Sequence, residues 1–365
     1  MAENDKIIEL LKTLVNIKSP SKKEEKIKKF VKDYLINLGY KVREKKYYIA
    51  TESDSDLIVA THLDTVPLNY SFSHNGIYAY GTGVCDAKAS VTAMLLAAEK
   101  KLNYTLAFFC DEEEDGLGSK EFVKSWKKGK FVIVMEPTEL KIASKHWGSF
   151  ELIVEVKGKE AHGAFPEKGI NAIEKAFELF NKLKEKNLNV NPLKIEGGKE
   201  EYIIPNICKI KFEIFLKSEE KLNDYLKKIE FVKDYGNYEI DHAYEGYVSR
   251  DIVFYLEKAL EETGLPIIYT EMKSWTDALN LKEKFDVVVW GPGELPLCHT
   301  KEEKIKIKDI KKAIKVLIKL NSFFKKIPKI KFPTLLVVST QMSFQDLGSF
   351  FEYLIKLFIS YNITS

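Results

Sequence analysis

Residues 61–67 read THLDTVP, directly after the apolar run LIVA at 57–60. In a strand, residues two apart point to one face, so His62 and Asp64 can touch or share a ligand. Pro67 then closes the strand, because it has no N–H for the ladder. Alone, such a pair is more often a local hydrogen bond than a ligand site. Four further segments place acids or histidines just after apolar strands or in tight turns: GTGVCDAKAS at 81–90, CDEEEDGLGS at 110–119, MEPTE at 135–139 and LCHTKEE at 297–303. Each has an ordinary reading as an acidic loop, a strand-end turn or a loop histidine. Their coincidence at the strand ends of one sheet does not. Carboxylates and imidazoles converging without thiolates suit zinc, cobalt or manganese at a hydrolytic site, and a shared carboxylate can hold two such ions about 3.5 to 4 Å apart. Acids this dense repel one another unless cations neutralise them, so the cluster predicts metal.

The elements that must position these residues follow from the hydrophobic periodicity. An amphipathic helix over about 5–16, capped by Asn4 or Asp5, is followed by the SPS turn at 19–21 and a second helix over about 22–38. YKVREKKYYIAT, LIVATHLDT and YTLAFFCDEE read as strands, with ASVTAMLLAAEK as the helix between the last two and FVIVMEP as a further buried strand. This alternation predicts an α/β domain with a mostly parallel sheet and helices on both faces, whose ligand site lies where loops leave the carboxyl ends of the strands. Near 149 the texture changes. SFELIVEVKGK alternates like a half-buried antiparallel strand, and helix GINAIEKAFELFNKLKEK, strand KIKFEIFLK, helix KLNDYLKKIEF and strand YEIDHAY follow. That is an inserted α+β two-layer unit. The first pattern resumes near 250 with DIVFYLEKALEET, FDVVVWGPG and IKDIKKAIKVLIKL. The expected organisation is therefore 1–148 and 246–325 for the first domain, 149–245 for the insertion, and 326–365 for an apolar tail.

Composition bounds the function. The 365 residues are 45% hydrophobic and carry 57 basic against 54 acidic side chains, a formal charge of +3. No strong nucleic-acid or membrane field follows from so small an excess. Arginine occurs only at Arg43 and Arg250, and this lysine- and glutamate-rich balance fits a heat-adapted or AT-rich source. Cys85, Cys110, Cys208 and Cys298 show no CxxC spacing, so they read as reduced thiols. The first residues are charged and then helically periodic, with no continuous apolar run of a secretory signal, which points to the cytoplasm. Asp346, Glu352 and Lys356 interrupt the tail, which lacks the roughly 18 to 20 clean apolar residues of a membrane span. It reads as a packed or partner-binding segment.

The ordered set HLDTVP, GTGVCDAKAS, DEEEDGLGS, EPT, KGKEAHGAFPEKGINAI, IIPNICKIKFEI and CHTKEE resembles the co-catalytic, dinuclear metalloamidase and metallopeptidase family. That family contains acetylornithine deacetylase, succinyl-diaminopimelate desuccinylase, glutamate-type carboxypeptidases, aminoacylase and archaeal hydrolases that release lysine or ornithine from an amino-group carrier protein. The likeness runs to about residue 320. It implies a zinc-exopeptidase-like catalytic domain with a ferredoxin-like dimerisation insertion, and two divalent metal ions, zinc first, with cobalt or manganese as alternatives. By the same likeness His62, Asp86 and Glu136 hold one metal, Asp86 bridges, and Glu113 and His299 complete the second. Asp64 then orients the His62 ring. Glu112 resembles the general base that takes a proton from a metal-activated water and passes it to the leaving amine. His162 resembles the histidine that a partner subunit contributes to the oxyanion, which implies a homodimer.

One departure bears on the substrate. Where the family commonly has an acid, an aliphatic residue and an arginine that grips a carboxylate, this chain has Glu213, Ile214 and Phe215. Arg250 is then the remaining guanidinium outside the N-terminal part, and Asn206 and lysines are weaker clamps. SWTDALNL at 274–281 and WGPG at 290–293, with Gly293, resemble loops lining the cleft. The resemblance implies an amidohydrolase cleaving a small N-acyl-amino acid, of the deacetylase or desuccinylase type. A carboxypeptidase or dipeptidase acting on a short peptide, or on a carrier protein that holds lysine or ornithine, shares the same site chemistry. A non-catalytic member would have lost a ligand or the base, and this chain has the whole set.

Overall fold

Leu57–His62, Thr105–Phe109 and Phe131–Val134 are short β-rich runs with almost no polar side chain, the signature of strands covered on both faces. In the computed structural model, which describes residues 3–324, they form the centre of a nine-stranded sheet. Thr105–Phe109, Leu57–His62, Phe131–Val134 and Asp286–Val289 run parallel, side by side in that order. The margins are mixed: the antiparallel hairpin of Val42–Glu44 and Tyr48–Thr51 closes one side, and on the other Ile142–His146 meets Asp286–Val289 antiparallel and carries Tyr269–Met272 parallel to itself. The apolar tail expected at 326–365 lies outside the described residues.

Side chains along each central strand alternate between two cores. Leu57, Val59, Leu106 and Phe108 pack with helices Glu3–Asn16, Glu25–Asn37, Lys88–Ala98, Ile252–Glu262 and Ile307–Phe323. Ile58, Ala60, Ala107 and Phe109 face the other way, onto Phe122 and Trp126 of the Leu117–Ser125 segment and its end, and onto Ala278–Leu281. Every residue of Lys88–Ala98 is buried, which explains why that segment is apolar all round instead of amphipathic. The first helix already includes Asn4 and Asp5, so these residues do not cap it; Glu3 and Asp5 sit in its first turn, where acids favour the helix dipole.

Residues 148–244 build a second, four-stranded antiparallel sheet ordered Asn189–Gly197, Ile207–Leu216, Gly148–Lys157, Gly236–Tyr244. Helices Ala172–Glu185 and Leu222–Lys228 cover one face, over a core of Phe150, Leu152, Val154, Leu179 and Phe212 separate from the other two. The order strand, helix, strand, strand, helix, strand is that of a ferredoxin-like two-layer unit. Asn189–Gly197 has no place in the periodicity reading because Pro192 interrupts it. The strand forms at an edge, where a missing N–H is tolerated, and its register shifts between Pro192 and Lys194.

The central strands deliver the site. Their carboxyl ends lead into His62, into the acidic run that begins at Asp111, into Glu136 and into the turn at Gly291–Gly293. Phe122 stands at the middle of the packing beneath them, with ring centroids 5.1, 5.3 and 5.1 Å from Tyr48, Phe109 and Trp126. Phe122→Ala should lower the unfolding free energy by about 3 to 5 kcal/mol, the usual cost of deleting a buried ring. Chemical denaturation of the two proteins measures it.

Candidate metal centre

His62 is the last residue of its strand and is 1% exposed. Its Nδ1 lies 3.0 Å from the carbonyl oxygen of Asp64 and 3.5 Å from Asp64 Oδ1. A carbonyl only accepts, so Nδ1 carries the proton and the Nε2 lone pair is left for a metal. Nε2 points at Asp86 Oδ1, 2.9 Å away, and at Glu136 Oε2, 3.7 Å away. The other oxygen of Asp86 faces His299 Nε2 at 3.4 Å, and His299 Nε2 is 3.0 Å from Glu113 Oε1. Asp86 thus offers one oxygen to each histidine, the arrangement of a bridging ligand. His62, Asp86 and Glu136 have ligand atoms within 4.8 Å of one another, and so do Asp86, Glu113 and His299.

The donors fit two divalent cations. Glu136 Oε1 is buried and has no hydrogen-bond partner, which a neutralising ion would supply. Burial pushes the carboxyls of Glu112, Glu113 and Glu136 above their ordinary values, and repulsion from neighbouring carboxylates, Asp86 among them, adds to it, while His62 and, for Glu113, first the hydrogen bond to His299 oppose. For His62 burial acts downward, but Glu136, Glu112, Asp64 and Asp86 outweigh it and raise the ring well above its usual range. Hydrogen bonds to Asp86 and Glu113 lift His299 to about 10. Oxygen and imidazole donors with no thiolate suit zinc, cobalt or manganese.

Asp64 does more than hold a ring. Its carboxylate accepts the N–H groups of Glu112 and Glu113 at 3.1 and 3.0 Å and the Ser21 hydroxyl at 2.8 Å. The same residue therefore fixes the loop that carries two of the acids. His299 has φ 61° and Asp111 φ 64°, a left-handed backbone that costs of order 1 to 3 kcal/mol unless its surroundings hold it. The carboxylate of Glu24 accepts the Asp111 N–H at 2.8 Å and the Lys22 N–H at 3.0 Å. Glu303 accepts the N–H groups of Gly83, Cys85 and Asp86 at 3.0, 2.9 and 3.2 Å, so it shapes the turn from which Asp86 projects. Burial moves Glu303 up to about 7. Asp277, inside SWTDALNL, is fully buried against Ser119, and burial pushes it up to about 7. Sequence reading gave Glu24, Glu303 and Asp277 no role. Glu303 had one available signal, its place four residues after His299 in CHTKEE.

The remaining expected site residues lie elsewhere. His162 is exposed, accepts the Ala164 N–H at 3.1 Å and lies outside the cluster within this chain. Arg250 is exposed where helix Ile252–Glu262 begins, with its N–H on Asp286 Oδ1 at 2.9 Å, and it does not line the cavity beside Glu112. Asn206 is half-buried, and its carbonyl accepts the Gly158 N–H at 2.7 Å. Gly293, with φ 106°, packs so closely on Cys85 that a Cβ would stand 2.2 Å from its sulfur.

The profile of peptidase family M20/M25/M40 matches residues 58–321. The chain belongs to this family. It is 28% identical to an uncharacterized metallohydrolase of Methanocaldococcus jannaschii over 342 residues, covering 86% of this chain and 96% of that one. It is 26% identical to a [LysW]-lysine/[LysW]-ornithine hydrolase of Sulfurisphaera tokodaii, covering 84% of this chain and 92% of the relative. The fold matches the crystal structure of aminopeptidase PepT from Bacillus cereus with a TM-score of 0.76 at 22% identity, over 89% of this chain and 99% of that one. This M20/M25/M40 member is thus a metallohydrolase, a metal-dependent peptidase or amidohydrolase, and its α/β architecture is that of the family. Among the described residues no helix is long and apolar enough to cross a membrane.

Two outcomes follow from this geometry. Glu303→Ala leaves three N–H groups of the Asp86 turn unpaired and should weaken metal affinity by about 10- to 100-fold, read by chelator competition. The neighbouring carboxylates raise both imidazoles, His299 to about 10, so metal binding, which needs a free ring nitrogen, must displace protons. Calorimetry in buffers of different ionisation enthalpy should record a net release.

Proposed function

We propose that this protein is a dinuclear, zinc-dependent amidohydrolase that cleaves the N-acyl bond of an amino acid, of the acetylornithine deacetylase or succinyl-diaminopimelate desuccinylase type. The observation that carries the reading is Asp86, placed between His62 and His299, with Glu112 grouped beside His62 and Glu113. His62, Asp86 and Glu136 would hold one ion, and Asp86, Glu113 and His299 the other. When bound, the metals supply Lewis-acid activation of water and of the scissile carbonyl.

Glu112 supplies the proton transfer. Its carboxylate has no hydrogen-bond partner among the described residues and is 7% exposed, while its N–H is pinned by Asp64. A carboxylate held this way accepts a proton from the attacking water and returns it to the leaving nitrogen as the C–N bond breaks. His162 acts from a second copy of the chain. Its exposure supports this, as does the edge strand Asn189–Gly197, which carries exposed Leu193 and Ile195 at 47% and 46%. An unpaired edge with apolar side chains is a surface for strand addition between two identical units. The protein would then be a homodimer in which 149–245 serves as the dimerisation unit.

A second reading, release of lysine or ornithine from a carrier protein, is favoured by the relative named as a [LysW]-lysine/[LysW]-ornithine hydrolase. The two readings share every catalytic group and differ only in what lies on either side of the amide.

Glu112→Gln should keep both metals and lose about 100- to 10,000-fold in kcat, while Glu113→Gln should lose one metal per chain. Metal content by emission spectroscopy beside hydrolysis of N-acetylornithine and N-succinyl-diaminopimelate tests the pair. Equal metal loss in both variants would sink the assignment of roles.

A further inference from the structure

A cavity of about 330 Å³ lies between segments 15–20 and 65–72, and Thr82 and Lys88 complete its lining. It shares no residue with the metal cluster or with the cavity beside Glu112. The chain carries 54 acidic side chains, and none among the described residues lines this cavity, whereas Lys18 and Lys88 do. Its charge is therefore positive.

Lys88 is the residue that calls for a partner. It is 2% exposed and is the first residue of the fully buried helix Lys88–Ala98, a position where the helix dipole disfavours a cation. An ammonium carries three donors, and this one spends a single donor, on the Ile17 carbonyl oxygen at 2.9 Å. It forms no ion pair with any described residue. Glu303 attracts it from a distance, but the Glu303 oxygens are already committed to three backbone N–H groups. A buried charge left in this way is costly unless something pairs with it.

Two buried hydroxyls in the same lining are also unspent. Thr65, 4% exposed, has a hydroxyl with no hydrogen-bond partner among the described residues. Thr82 Oγ1 accepts the Tyr70 N–H at 2.8 Å and keeps its own proton to give. Lys88, Thr65 and Thr82, each more than nine-tenths buried, thus bring free donors to one enclosed volume. Val15, Pro20, Val66 and Phe72 make much of the remaining wall apolar. A positive, donor-rich head beside an apolar wall matches an anion that carries a short hydrocarbon chain.

We infer that this cavity is a binding site for a small organic carboxylate, separate from the metal centre, with Lys88, Thr65 and Thr82 on the carboxylate, exposed Lys18 supporting it electrostatically and the apolar wall on the chain. Its place is that of a regulator. Thr65 follows Asp64, which orients the His62 ring, and Lys88 lies two residues beyond Asp86, so a ligand here touches both segments that carry the metal centre.

Calorimetry on the metal-loaded protein tests this with butyrate, butyramide and inorganic phosphate. Butyramide has the chain and shape of butyrate without its charge. Butyrate should bind saturably and about 10-fold or more tighter than butyramide, the worth of a hydrogen-bonded charge. Phosphate, which leaves the apolar wall uncovered, should bind more weakly than butyrate. Carboxylates also bind metal ions, and two variants separate the places. Lys88→Met keeps the buried stem and removes the charge, and should weaken butyrate binding by about 10-fold or more, with metal content measured beside it. Lys18→Met changes an exposed residue that no core depends on, and should weaken it by about 2- to 5-fold. That variant and the wild-type comparison decide the matter even where Lys88→Met fails to fold. Butyrate bound no tighter than butyramide, binding that does not saturate, or an affinity unchanged by both substitutions, which would put the butyrate on the metals, overturns the proposal. So does phosphate bound tighter than butyrate and weakened by Lys88→Met, which would give the site to an inorganic anion.

Discussion

The constraint on which this structure depends is the repulsion among Asp86, Glu112, Glu113 and Glu136 in a nearly dry cleft. Holding one unpaired ion in such surroundings costs several kcal/mol, and holding several of like sign costs more. The chain meets this by bringing His62 and His299 against Asp86 from opposite sides, and by leaving room for cations to do the rest. Every neighbouring device serves that arrangement. Asp64 ties the Glu112–Glu113 peptide to the end of the His62 strand, Glu303 ties the Asp86 turn to the segment bearing His299, and Glu24 holds the left-handed Asp111. Carboxylates are spent on backbone N–H groups so that other carboxylates can be kept free.

A buried histidine is not a ligand by virtue of burial, and His146 makes the contrast. It is 0% exposed, as enclosed as His62. Its Nδ1 lies 2.7 Å from the Trp147 carbonyl oxygen and its Nε2 2.9 Å from the Thr276 hydroxyl, so both nitrogens are satisfied by neutral groups. Burial outweighs the hydrogen bond to the Trp147 carbonyl, with the Lys282 charge adding to it, and lowers the ring to about 4, whereas His62, ringed by carboxylates, is driven upward. The same placement, a histidine ending a strand of one sheet, gives a ring held by neutral groups in one place and a ring facing carboxylates in the other. What differs is the charge that other loops bring to it.

That difference explains how much of the site was legible in the sequence. The central strands and the cluster could be read because each acid follows an apolar run, and the alternation of such runs with helices leaves one edge of a parallel sheet to hold the loops. Glu24, Glu303 and Asp277 escaped because their work is done on partners far along the chain, through backbone N–H groups or a single hydroxyl that carry no sequence signal. The strand Asn189–Gly197 escaped for a local reason, the proline that an edge tolerates and a periodicity rule penalises. The sheet margins were harder than the centre for the same cause, since antiparallel edge strands are shorter and more mixed in polarity.

The inserted unit raises the question of why a catalytic sheet should be accompanied by a second one with its own core. Its strands contribute Glu151 and Glu213 to the wall of the cavity that Glu112 and Glu113 enter, so one face of the second sheet completes a pocket the first leaves open. The groups that activate the amide sit in loops over a covered parallel sheet, where each is held by several hydrogen bonds and any change disturbs its neighbours. Glu151 and Glu213 sit on antiparallel strands, where alternate side chains turn away from the core of that sheet. The wall of the cavity is thereby built from two sheets, with Glu112 and Glu113 from the loops over one and Glu151 and Glu213 from strands of the other.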